Sequence, residues 1–161
     1  MKKDEIINVL KIIQDKIKNK KINWVLLGSA SLLLQGVDIN PKDIDIFTNK
    51  PGAFDFYDSL KEFTLHNIRH SAGPGGDLLS WFCKYKINEI EVEVNGDAEI
   101  KDGKGGWFKS DSLQKRKNLN VNGIEIPILS IKDELEQTKK RIREKDNKKI
   151  KIIEDFLKNA C

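Results

Sequence analysis

At 161 residues, 39% apolar and 34% charged, the chain has the length and apolar content of one globular domain with a heavily charged surface. No apolar run approaches the roughly 20 residues that cross a bilayer, and two cysteines without metal-like spacing argue against a disulfide framework or a zinc site. A formal net charge of +4 permits contact with nucleotide or nucleic acid without requiring it.

Ile6, Leu10, Ile13 and Ile17 recur at helical spacing and predict an amphipathic helix over 4–19. Asp4 and Glu5 fall where a signal peptide needs an uncharged segment, so a cytoplasmic location without a membrane partner is expected. Ile22 to Leu27 suits a short buried strand, and Ser29 is expected to cap a helix through Leu34 that exits at Gly36. Asn40-Pro41 turns the chain, and Asp43 to Thr48 alternates as a half-buried strand does. Pro51-Gly52 opens a helical pattern with Ala53, Phe56, Leu60 and Phe63 on one face.

Thr64 to His70 reads as a strand, Ser71 to Asp77 as a Gly/Pro loop, and Leu78 to Lys86 as a strand that turns at Asn88. From Ile90 to Val94, Ile90, Val92 and Val94 face one side and Glu91 and Glu93 the other. Cys83 is expected to be a buried thiol and Cys161 a disordered tail, and His66 and His70 have no cysteine nearby. After a flexible loop at Lys101 to Gly106, Trp107 and Phe108 are expected in the core at a strand start. Asn122-Gly123 is a strong hairpin signal, and Ser130 opens a helix expected to turn Leu135 and Ile142 inward. A last helix follows Asp146 with Ile150, Ile153 and Leu157 inside. Residues 1–161 thus form a single α+β domain, a mixed sheet flanked by helices and closed by a C-terminal helical pair.

The chemistry concentrates between Trp24 and Asn49. Residues two apart on a strand share a face, so Asp43 and Asp45 project together while Ile44 and Ile46 pack inward. Adjacent carboxylates repel unless a cation lies between them, and Mg²⁺ favours carboxylate together with phosphate oxygens. Gly28-Ser29 at a strand-to-helix turn offers backbone N–H groups and a hydroxyl to phosphate. Taken singly, the aspartates also fit an edge strand with a polar face, and Ser29 also fits an ordinary cap. Their order brings them to one end of a sheet, where Glu93 or Glu91 adds a third carboxylate. Three carboxylates around two metals suit in-line nucleotidyl transfer.

Gly28-Ser29, Asp43-x-Asp45 and a later strand acid resemble the signature of the nucleotidyltransferase (DNA polymerase β-like) superfamily, above all its minimal lincosamide-resistance and toxin-type members. The stretch Ile126 to Ser130, a helix bearing Lys139, and Lys145-Asp146 are similar to that group's C-terminal pattern. The resemblance implies that Asp43, Asp45 and Glu93, with Glu91 as the alternative third acid, bind two Mg²⁺ ions. It further implies that Gly28, Ser29 and Lys139 meet the phosphates of an NTP such as ATP. An acceptor hydroxyl would then attack the α-phosphate and expel pyrophosphate. Two departures stand out: Asn40-Pro41-Lys42 precedes the first aspartate where members carry Arg, Ser or Thr, and Glu replaces the commoner Asp as third acid.

Three functions follow for testing. The first is an Mg²⁺-dependent nucleotidyltransferase, whose acceptor (small molecule, RNA or protein) the sequence does not identify. The second is a catalytically silent protein of the same fold, acting through a protein partner or homodimer. The third is a small RNA-binding domain with a basic face.

Overall fold

An antiparallel pair of strands joined through a short helix forms the centre of the molecule, and everything else is built outward from it. The computed structural model describes residues 1–73 and 75–160. The expected tail at Cys161 and the Pro74 portion of the glycine-rich loop therefore lie outside the described residues.

The first helix, α1 (Lys3–Ile17), buries Ile6, Leu10, Ile13 and Ile17 on the expected stripe. Strand β1 (Trp24–Leu27), helix α2 (Gly28–Leu34) and strand β2 (Ile44–Thr48) follow. Helix α3 (Lys50–Ser59) is capped by Asn49, whose side chain accepts the Gly52 N–H, and a 3-10 turn follows at Lys61–Phe63. Three long strands come next, β3 (Thr64–Ala72), β4 (Leu78–Ile87) and β5 (Ile90–Lys101), then the short β6 (Trp107–Lys109) and the one-turn helix α4 (Ser112–Lys115). The hairpin β7 (Lys117–Val121) and β8 (Ile124–Ile128) turns at Asn122-Gly123, both with positive φ, as its sequence predicts. Helix α5 (Ile131–Lys140), a 3-10 turn at Glu144–Asp146 and helix α6 (Asn147–Asn159) complete the chain.

The strands form one mixed sheet in the order β3-β4-β5-β2-β1-β8-β7, with β6 paired to β5. Pairing is antiparallel except at β2/β5 and β1/β8. One core cluster joins α1 and α3 to Leu26, Ile44, Ile46, Val92 and Val94. A smaller cluster around Val25, Leu27, Phe47 and Ile100 occupies alternate strand positions, those facing the other side of the sheet. The C-terminal helices pack Ile153, Leu135 and Phe156 against Leu32 and Val37. That contact brings the charged ends of α5 and α6 to the edge of the central strands.

Four expectations need correction. Helix α2 begins at Gly28 with Leu27 in the capping position and no side-chain cap, so Ser29 lies inside the helix. Strand β5 continues to Lys101, because Ala98 and Ile100 extend its apolar alternation. Trp107 is 43% exposed: its register partner is the exposed Lys101, while Phe108 pairs with buried Ile100 and turns inward. Ile142 is 62% exposed, since α5 stops at Lys140 and Ile142 adopts φ 48°, off the inward stripe.

Candidate active site

Two register relationships set the site. Leu27 lies opposite Asp45 across the antiparallel β1/β2 pair, so the first residue of α2, Gly28, comes up beside the aspartates. Asp45 lies opposite Glu93 across the parallel β2/β5 pair. The strand begins at Ile44 rather than at Asp43, and Asp43, just ahead of it, brings its carboxylate to the same cluster. Oxygen atoms of Asp43, Asp45 and Glu93 all come within 4.8 Å of one another. Three acids this close are an all-oxygen donor set that fits a hard divalent cation such as Mg²⁺. The free carboxylates repel: burial first, then the charges of Asp43 and Glu93, push Asp45 up to about 7, against the opposing pull of Lys149.

Gly28 has φ +72°, and a Cβ on it would stand 2.8 Å from Asp45 Oδ2. Glycine here admits both the left-handed backbone and the close approach of the carboxylate. The Gly28 N–H is already engaged, donating to Glu134 Oε1 at 2.8 Å. Glu134 is buried on α5, and burial raises it to about 7 despite Lys149 and the Gly28 N–H.

Cations ring the carboxylates. Arg141 Nη2 and Arg143 Nη1 both donate to Asp77 Oδ2, at 3.0 and 2.7 Å, and Arg143 also grips Asp146 through Nε and Nη2 at 2.6 and 2.8 Å. Arg141, Arg143 and Lys145 line a cleft of about 350 Å³ with Asp43, Asp45 and Glu93. A smaller recess of about 150 Å³ shares Asp45 and both arginines and adds Gly28, Glu134 and Lys149. A larger cavity, about 630 Å³, lies by Thr48, Trp81 and Asp97 and holds none of the three acids. Size and chemistry disagree here, and chemistry locates the candidate site in the carboxylate cleft.

The residues expected to act together are only partly brought together. Asp43, Asp45, Glu93 and Gly28 converge, with Ser29 next in the chain inside α2. Glu91 stands outside the cluster, its carboxylate 2.7 Å from Lys84 Nζ, which also lies 3.2 Å from Glu93. Lys139 points elsewhere, in an ion pair with Glu154 of α6, and lines neither recess. The partner of Asp146 is Arg143 rather than its neighbour Lys145. Asp77, Glu134, Arg141, Arg143 and Lys149 join the site without being expected there from the sequence. The Arg141-x-Arg143 spacing just ahead of Lys145-Asp146 was the available signal for two of them.

The model of the aminoglycoside-2''-adenylyltransferase family matches residues 9–153. Among solved structures, a Thermotoga maritima protein classed as a nucleotidyltransferase is 31% identical, covering 99% of this chain and 96% of its own, with a TM-score of 0.77. The lincosamide antibiotic adenylyltransferase LnuA, solved with lincomycin, is 17% identical, with coverage of 90% and 94% and a TM-score of 0.57. The antibiotic-resistance factor ANT(2'')-Ia is 9% identical, with coverage of 96% and 83% and a TM-score of 0.60, a likeness of fold. Comparison with curated protein sequences gives no significant match.

Proposed function

The chain belongs to the aminoglycoside-2''-adenylyltransferase family, and we propose that it transfers a nucleotidyl group, AMP from ATP by preference, to a hydroxyl of a small acceptor. The observation that carries this reading is the convergence of Asp43, Asp45 and Glu93 within 4.8 Å beside two arginines. A silent member of the fold would not need its third acid aimed at the other two. The structural neighbours solved with lincomycin and with adenylyl-2''-tobramycin support a small, hydroxylated acceptor. Among the described residues, no helix is long and apolar enough to cross a membrane.

In this reading Asp43, Asp45 and Glu93 hold Mg²⁺. When bound, the metal neutralises charge on the phosphates and lowers the pKa of an oxygen ligand. The protein does the rest. Arg141, Arg143, Lys145 and Lys149 surround the carboxylates with fixed positive charge and take the β- and γ-phosphates, the role first given to Lys139. Gly28 keeps the backbone clear so that Asp45 stays at the base of the cleft, while Ser29, inside α2, lines neither recess. Glu93, at the open side next to Lys84, accepts the proton of the attacking hydroxyl. Positioning and electrostatics supply the rate, as expected for phosphoryl chemistry.

The test is incubation with each NTP carrying a labelled α-phosphate, Mg²⁺ and a panel of hydroxylated acceptors, with pyrophosphate release as readout. Release that depends on acceptor and is lost in Asp45→Asn is expected. No release with any NTP, and nucleotide binding indifferent to Asp45→Asn, would leave the silent reading standing.

A further inference from the structure

We infer that Asp77 is a positioning residue for nucleotide phosphate: it holds the Arg141 and Arg143 guanidinium groups side by side over the carboxylate cleft. This rests on the nucleotidyltransferase reading above and assigns a part in it to a residue well outside the acidic cluster.

The main chain of Asp77 is fixed, its carbonyl accepting the Lys101 N–H at 3.0 Å where β5 ends. From that anchor a single carboxylate oxygen, Oδ2, accepts one N–H from each arginine. Two guanidinium groups this close repel each other. Asp146 holds Arg143 in any case, so Arg141 is the one that depends on Asp77 for its carboxylate hydrogen bond. Asp77 supplies the anion and leaves donors to spare. A guanidinium has five N–H donors. Arg143 spends three of them on Asp77 and Asp146. Arg141 spends one on Asp77, and its Nε is buried with no partner among the described residues. An arginine pair held in place but unsaturated is a receptor for an oxyanion with several oxygens, which a triphosphate is. The same cleft carries Asp43, Asp45 and Glu93, so the clamp and the metal ligands face one cavity.

The contact also ties the C-terminal turn, Arg141 to Asp146, to the residue just ahead of β4, and both line the cleft. Pre-organised donors cost less to order when ligand arrives, so the loss of Asp77 is felt in nucleotide binding rather than in the chemical step.

The experiment measures Kd of Mg²⁺–ATP and of an α,β-methylene analogue by calorimetry, together with KM, kcat and Tm, for the wild-type chain, Asp77→Asn, Asp77→Glu, Arg141→Gln and Asp77→Asn/Arg141→Gln. Asp77→Asn should raise Kd and KM about tenfold, the scale of a hydrogen bond to a charged group, with kcat changed less than twofold. Asp77→Glu should recover most of the loss, and Asp77→Asn should cost less in the Arg141→Gln background than alone. Unchanged or tighter nucleotide binding in Asp77→Asn, or strictly additive effects, overturns the inference while leaving the nucleotidyltransferase reading intact. A wild-type chain that binds no nucleotide overturns both.

Discussion

Asp45 and Glu93 are register partners across the parallel pairing of β2 with β5. Because β1 runs antiparallel to β2 on its other side, the same residue also meets the start of α2, where Gly28 leaves room for its carboxylate. One side chain therefore joins three elements: a neighbouring strand, a helix start and, through Glu134 on the Gly28 N–H, the C-terminal helices. A strand slip of one residue would turn Asp45 into the core and Ile46 out of it. The apolar residues Ile44, Ile46, Val92 and Val94 fix the register, and the register aligns the acids.

The charge held there makes the metal-free protein lose stability as pH rises from the acid range to neutrality. Asp45 and Glu134 both sit near 7 in the folded chain, against ordinary values of 3.8 and 4.5. Between roughly pH 4 and 7 the folded state thus binds protons that the unfolded state has released, so stability falls as pH rises through that window. The limiting slope is about 1.4 kcal/mol per pH unit for each proton. Acids held low, such as Asp77, act in the opposite sense and only at lower pH: burial raises Asp77, but its bonds to Arg143 and Arg141 outweigh it. Thermal melts in EDTA should show Tm falling between pH 5 and pH 8. Mg²⁺ should flatten the alkaline side, and Asp45→Asn should remove its own share of the slope. A Tm that rises over this range would contradict the arrangement.

Glu91 and Glu93 lie on the same face of β5, and Lys84 contacts both. Only Glu93 reaches the other two acids. Glu93→Gln should lower turnover on the order of a hundredfold, the loss typical of removing one preorganised charge at a reacting centre. Glu91→Gln should stay within about twofold of wild type, because its half-exposed carboxylate pairs with Lys84 and stands outside the acidic cluster. Steady-state kinetics with a saturating acceptor separates the two, and equal losses would mean that the strand presents its acids differently.

Much of this was legible in the residues. Asp43-x-Asp45 alternates against Ile44 and Ile46, and Gly28-Ser29 follows an apolar run, so the local patterns alone fix the face and the turn. The hairpin at Asn122-Gly123 and the cap at Ser130 were equally local. The failures share a cause. Lys139 and Arg141 are two residues apart at the end of one helix, and only the way α5 packs on α6 sends the first to Glu154 and the second to Asp77. Ser29 looked like a cap because no sequence rule places a glutamate from α5, more than a hundred positions away, on the Gly28 N–H. Local chemistry reads out from local sequence; the choice among several lysines, arginines and acids needs the tertiary contact.

Gly28→Ala tests the crowding at the helix start. Its backbone lies at φ +72°, where an added Cβ costs about 1–2 kcal/mol, and that Cβ would stand 2.8 Å from Asp45 Oδ2. The variant should melt several degrees below wild type and lose activity beyond what its lowered stability explains at the assay temperature, because Asp45 is pushed off the cleft. Binding of Mn²⁺, followed by electron paramagnetic resonance, should weaken in parallel. Full activity in a chain with lowered Tm would show that the close approach of Gly28 to Asp45 is structural alone.

Ile142 offers the converse, a place where the fold carries strain that substitution can relieve. It is β-branched, holds φ 48° and is 62% exposed, so it stores backbone energy and buries little in return. Gly103 packs over it: a Cβ at position 103 would stand 2.7 Å from Ile142 Cβ. Glycine at a left-handed helix exit has no such penalty, so Ile142→Gly should stabilise the chain by about 1 kcal/mol despite the extra unfolded-state freedom of glycine. The substitution also loosens the turn between Arg141 and Arg143. If this segment aims the two guanidinium groups, Ile142→Gly should raise Tm and at the same time raise KM for nucleotide. Denaturant melts and initial-rate kinetics on one preparation decide it, since a gain in stability with KM unchanged would assign all of the arginine placement to Asp77 and Asp146.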